Sequence, residues 1–175
     1  MRKCGILLLC AALFCLSLVG CAPEKGDYFA PFRGQFAAQI AGEWQSLSFE
    51  AHLAASAPDE RGAREMTLTF YAPSTLAGTV LTQNAAGALT LSVDGLTLPL
   101  TPAAAQGYGA LFTLFPTEGE VQSITRENGN TRLDGTGFSL LFAPDGTPLA
   151  AENAAARVAV KEWGRVRGDF SESPP

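Results

Sequence analysis

The stretch Leu89-Thr90-Leu91-Ser92-Val93-Asp94-Gly95-Leu96-Thr97-Leu98-Pro99-Leu100-Thr101-Pro102 decides the fold of this chain. Leu89, Leu91 and Val93 alternate with polar residues, and Leu96, Leu98 and Leu100 alternate again after Asp94-Gly95. A period of two marks strands with one buried face, and a DG pair between two such runs favours a type I′ hairpin turn. Side-chain parity changes across the pair, as a two-residue loop requires. Thr101-Pro102 then opens a different element, with Thr as N-cap and Pro at the first helical position. Tyr108, Leu111, Phe112 and Phe115 follow at helical spacing, and Pro116 stops the run. Gly107 and Gly109 each weaken such a helix by about 1 kcal/mol relative to Ala. The spacing therefore predicts a short or irregular helix that depends on tertiary packing.

The same period extends in both directions. Upstream, Phe36, Ala38, Ile40, Gly42 and Trp44 share one face, after which the apolar set shifts to Leu47, Phe49, Ala51 and Leu53. One strand cannot keep a face buried through that shift, because parity inverts. A tight turn near Gln45-Ser46 explains it best, with a bulge as the lesser alternative. Ala57 to Gly62 is a turn cluster; Met66, Leu68 and Phe70 point inward from residues 65–71; and Gly78 to Thr82 is another short strand. Downstream come Val121 to Thr125, a turn at Asn128-Gly129-Asn130, Phe138 to Phe142, the turn Pro144-Asp145-Gly146-Thr147-Pro148, and a last strand at Arg157 to Trp163. The chain is therefore mainly β: a curved antiparallel sheet or incomplete β-barrel of about nine strands covered by a short helix. A sandwich also satisfies the pattern, but leaves Thr101 to Phe115 without a role.

The N-terminus predicts where this domain lives. Arg2 and Lys3 precede an almost wholly apolar run from Ile6 to Val19, with the charge and length of an export signal and short for a stable span. Leu18-Val19-Gly20-Cys21 closes it and resembles the lipobox of bacterial lipoproteins. That resemblance implies cleavage between Gly20 and Cys21 and a diacylglyceryl group on Cys21, the first residue of the mature chain. The expected organisation is a signal peptide at 1–20, the lipidated cysteine and a tether at 21–34, the half-barrel at 35–163 and a flexible tail at 164–175. Tyr28, Phe29 and Phe32 suggest that part of the tether lies back on the domain. The expected location is the extracytoplasmic face of the cell membrane.

Composition narrows the chemistry. All four cysteines, Cys4, Cys10, Cys15 and Cys21, lie in or at the end of the signal, so the folded domain has no disulfide to staple it. The chain has 12 basic and 17 acidic residues, and loss of Arg2 and Lys3 takes the net charge from −5 to −7. An acidic domain is a poor partner for nucleic acid or for anionic lipid, so membrane attachment falls to the anchor. His52 is the single histidine, which excludes a zinc site with two imidazoles from one chain. No G-x-S-x-G elbow or Ser-x-x-Lys pair is present, and Asp59, Asp94 and Asp145 sit in turns. Asp134-Gly135-Thr136-Gly137 does not lead into a helix, and Arg167-Gly168-Asp169 is a three-residue match in the tail. No catalytic residue, metal ligand or cofactor is assigned, and the chain is read as a non-enzyme. A hydrolase with an unrecognised carboxylate site is the remote alternative.

Ala37-Ala38-Gln39-Ile40, Leu47-Ser48-Phe49-Glu50-Ala51, the run Met66 to Gly78 with its Pro73-Ser74-Thr75-Leu76-Ala77-Gly78 element, Leu89 to Leu100, and the turn Asp145-Gly146-Thr147-Pro148 together resemble small lipoproteins of the clostridial kind. These in turn resemble the lipoprotein-localisation carriers and receptors (LolA/LolB-like) of Gram-negative envelopes. The resemblance covers roughly Phe36 to Trp163. It implies an incomplete barrel with helices over an apolar cavity that holds acyl chains of lipid or lipoprotein. The family's arginine that grips the lid from inside the barrel has no evident counterpart in the sequence. On this reading Tyr108, Leu111, Phe112 and Phe115 line or lid an apolar groove, a site type found at barrel mouths; plain core packing is the competing assignment. The expected function is a membrane-anchored lipoprotein binding an acyl chain, lipid or lipoprotein. The alternative is a structural or protein-interaction surface lipoprotein with no small-molecule ligand.

Overall fold

A computed structural model of the protein describes residues 26–165. Gly20, Cys21, the signal and the Arg167-Gly168-Asp169 triplet lie outside the described residues. A 3-10 turn at Ala30–Phe32 leads into β1 (Phe36–Trp44), β2 (Leu47–Ala55), β3 (Met66–Ala72), β4 (Val80–Gln83), β5 (Leu89–Val93) and β6 (Leu96–Pro99). Helix α1 (Pro102–Phe112) follows, and then β7 (Val121–Glu127), β8 (Asn130–Gly135), β9 (Phe138–Phe142), β10 (Pro148–Asn153) and β11 (Ala156–Arg165).

All eleven strands form one antiparallel sheet in the order β6-β5-β4-β3-β2-β1-β11-β10-β9-β8-β7. It consists of two meanders, β1–β6 and β7–β11, joined where β1 pairs β11 from Phe36↔Arg165 to Trp44↔Ala156. The sheet stays open, with β6 and β7 as its free edges. The connection from β6 to β7 carries α1.

The turns follow from local chemistry. Gln45-Ser46, Asp94-Gly95 and Asn128-Gly129 all have positive φ at both positions, as type I′ hairpins demand. The parity shift after Trp44 is thus a hairpin and not a bulge. A bulge does occur in this region, between Gln39 and Ile40 opposite β11. Gly42 belongs to the same crowded pairing: a Cβ there would lie 2.0 Å from the Arg157 carbonyl oxygen. At the start of α1, Thr101 Oγ1 accepts from the Ala104 N–H at 3.5 Å, with Pro102 in the first turn.

Three details differ from the sequence expectation. Among the described residues there are eleven strands, not about nine, because β8 and β10 carry too little apolar alternation to announce themselves: Leu133 is the one large aliphatic side chain of β8, and β10 is rich in alanine. The helix ends at Phe112 with Thr113 as C-cap, so Leu114 and Phe115 lie beyond it. The last strand runs to Arg165, past the expected limit at Trp163. The core is the concave face, where Ile40, Leu53, Leu68, Leu81, Leu133 and Leu140 are almost fully buried.

Candidate functional site: the concave face and its cover

Residues directly opposite in antiparallel strands share a face, so the register writes out the inner surface row by row. One row runs Leu98–Leu91–Leu81–Leu68–Leu53–Ala38 from β6 to β1. Its central members are buried, with Leu81 and Leu53 at 0% exposure, yet Leu98 at its end is 51% exposed. Val93 and Leu96, paired one step along β5 and β6, are 42% and 63% exposed. At the opposite edge Ile124 of β7 faces Leu133 of β8, and Ile124 is 39% exposed against 0% for Leu133. The apolar inner face therefore continues past its cover at both edges, further on the β5–β6 side.

Three polar contacts fix the cover over the middle. The Trp44 indole Nε1–H donates to the Gly107 carbonyl at 3.1 Å, with its ring 4.8 Å from that of Tyr108. The Asn153 side-chain amide donates to the Ala110 carbonyl at 2.6 Å and to Thr113 Oγ1 at 3.1 Å, holding the C-terminal end of α1. Beyond α1 the chain drops Leu114 and Phe115 into the sheet, both at 0% exposure. Phe115 joins Phe32 (5.5 Å between ring centroids), Phe36 (6.1 Å) and Trp163 (6.1 Å), while Phe36 stacks on Trp163 at 4.6 Å. Edge-to-face and offset pairs at these distances each add roughly 0.5–1.5 kcal/mol beyond their area burial.

Of the groove residues read from the sequence, Leu111, Phe112 and Phe115 are buried in this core, and Tyr108 is half-buried on Trp44. The structure brings all four to the concave side of the sheet. Part of the expected tether also folds back: Phe29, Pro31 and Phe32 are buried. The turn carboxylates are engaged locally, with Asp59 Oδ1 accepting from the Arg61 and Ala63 N–H groups and Asp145 Oδ1 from the Thr147 N–H. Thr147 in particular holds the Asp145 carboxyl below the usual carboxylate range. His52 sits on the outer face of β2, its neighbour Leu53 being inward. Among the described residues no group of three or more His, Cys, Asp or Glu side chains is arranged to hold a metal ion.

The sequence pattern does not single out Arg64, yet the structure holds its charge in a largely buried position. From the loop ahead of β3 its guanidinium donates to the Phe32 carbonyl at 2.8 Å and the Phe115 carbonyl at 2.6 Å, with its carbon 5.2 Å from the Phe36 ring centroid. Burial lowers its pKa to about 10, which leaves it a cation at neutral pH. Two carbonyls and an aromatic face stand where a carboxylate would be expected. This arginine ties the end of the covering segment and the Phe32 carbonyl to the loop ahead of β3. Its signal is weak, since a lone arginine in a charged loop looks solvated.

Fold and cover together define an open antiparallel half-barrel whose concave face is packed at the centre and bare at its edges. No protein-family model matches the chain, and no curated protein matches it. Solved structures do. An uncharacterized conserved protein from Thermus thermophilus is similar with a TM-score of 0.50 at 13% identity, over 80% of this chain and 83% of that one. A DUF1329 family protein from Desulfovibrio piger gives 0.46 at 10% identity, over 86% and 95% of the two chains. A LolA superfamily protein from Nitrosomonas europaea gives 0.40 at 8% identity, over 79% and 88%. At 13% identity the likeness to the Thermus protein is one of fold.

Proposed function

We propose that this chain is an exported lipoprotein, held to the extracytoplasmic face of the membrane through Cys21, whose half-barrel binds an acyl chain, lipid or lipoprotein on the uncovered part of its concave face. The observation that carries the reading is the unbroken row from buried Leu53 and Leu81 to half-exposed Leu98, flanked by exposed Val93 and Leu96. Apolar side chains in one continuous patch on an otherwise acidic surface mark a place that something apolar covers. The row also has a ready direction: an acyl chain seated on Leu98 and Leu91 points from the open edge toward buried Leu81. Trp44 and Asn153 hold α1 over the middle of the face, and Arg64 holds the chain just beyond it at Phe115.

The test is a titration of residues 22–175, which contain every strand of the sheet, with a fluorescent fatty acid. Saturable binding that falls at least tenfold in Leu98→Asp, with the thermal midpoint unchanged, is the expected outcome. Absence of saturable binding sinks the reading. The filled centre of the concave face favours a second reading in that event, a surface lipoprotein that meets a protein partner and carries no small ligand. Anchoring has its own test. Cys21→Ala should move the chain from the membrane to the soluble fraction, and a variant still membrane-bound in high salt would refute the anchor.

A further inference from the structure

The segment from Gly26 to Arg33 occupies the concave face without belonging to the sheet. Phe32 is at 0% exposure, ringed by Phe36, Phe115, Phe142 and Trp163 at 5.5–6.1 Å. Phe29 packs edge-on against Phe138 at 5.8 Å. The segment's backbone hydrogen bonds close within it: Tyr28 N–H to Gly26 O, Ala30 N–H to Asp27 O, and Phe32 N–H to Phe29 O. Its ties to the rest of the domain are side-chain bonds, from Arg64 to the Phe32 carbonyl and from Arg33 to the Thr117 carbonyl at 3.2 Å. Gly34, with open space around it, joins the segment to β1. Withdrawing the segment therefore breaks no strand ladder and leaves its own turn intact.

Resting on the reading above, we infer that residues 26–33 are an intramolecular plug, and that the space under Phe32 is a cryptic site for one acyl chain from outside the molecule. The walls left behind include the four rings Phe36, Phe115, Phe142 and Trp163, with the Arg64 guanidinium over the Phe36 ring. Trp163 stands directly opposite Ala38, so the slot continues the row that begins at Leu98. Between the open edge and the slot that row is filled by buried Leu81, Leu68 and Leu53, so the acyl chain enters from the side the plug vacates. The plug starts five residues after Cys21, so its near end stays within about 18 Å of the anchor. Opening of the slot is thereby set on the membrane side of the domain.

Two measurements on residues 22–175 test the plug. Trypsin cleavage after Arg33 in the unaltered chain should quicken severalfold when a fluorescent fatty acid saturates it. Phe32→Ala, confirmed as folded by circular dichroism, should bind that fatty acid at least tenfold tighter; Phe32→Leu, which keeps apolar filling, should show a smaller gain if the alanine variant does not fold. Tighter binding in a variant with no change in cleavage of the unaltered chain would mean an engineered cavity only, and overturns the plug. Leu98-dependent binding with neither effect also overturns it, while leaving the open-edge reading in place. No binding by the unaltered chain removes both.

Discussion

Ser46 adopts φ 68° at the tip of the β1–β2 hairpin, beside Gln45 at φ 49°. Neither residue prefers that region, where glycine and asparagine are at ease. The neighbouring hairpins meet the same demand with Asp94-Gly95 and Asn128-Gly129. Ser46→Gly should therefore stabilise the domain by about 0.5–1 kcal/mol, seen as a higher urea midpoint with an unchanged slope. Gly42 shows the opposite constraint. Its φ is unremarkable, but the Arg157 carbonyl leaves no room for a Cβ, so glycine is required there by the partner strand and not by its own backbone. The strand pattern at Gly42 was legible in the sequence; the reason for glycine lay on a strand at the far end of the chain. Arg64 was illegible for the same reason, because both of its carbonyl partners come from segments far off in the chain.

Helix α1 is weak by composition and firm by context. Thr101 caps it at a long 3.5 Å, and its two glycines cost it propensity. Gly107 faces Trp44, with that ring 3.9 Å from where a Cβ would stand, whereas Gly109 has nothing within 4 Å. Gly109→Ala should accordingly stabilise by about 0.5–1 kcal/mol, checked by thermal unfolding, because it adds helix propensity without a clash. The amphipathic spacing Tyr108, Leu111, Phe112 identifies the helix and its inner side without any coordinates. That spacing overruns the end of the helix, because Leu114 and Phe115 stay apolar and buried after Thr113 has left it. Strands β8 and β10 escape sequence reading because the residues they bury, Leu133 in one and Pro148 and Ala151 in the other, form no run of alternating large apolar side chains.

For the molecule as a whole, the two meanders and the cover form one cooperative unit, since the cover spans both: Trp44 of β1 and Asn153 of β10 both bond it. A ligand that binds only this folded form must stabilise it by mass action. Fatty acid at a hundred times its dissociation constant should add about 2.7 kcal/mol, a rise of several degrees in Tm, and at the same concentration the rise should fall to about half or less in Leu98→Asp. By itself the sequence determined the mainly β class, the I′ hairpin at Asp94-Gly95, the position and inner face of α1, and the expectation of an exported, lipidated N-terminus. Each of these depends on neighbours within a few residues: periodicity, turn chemistry, capping, an apolar run before a cysteine. Only the tertiary structure decided that the sheet stays open between β6 and β7, that Phe32 fills its centre, that Arg64 holds the cover, and that Leu98 lies bare at the end of a buried row. Burial and partnership are properties of residues brought together across the chain, and an alternating pattern states which face is apolar without stating how far that face is covered.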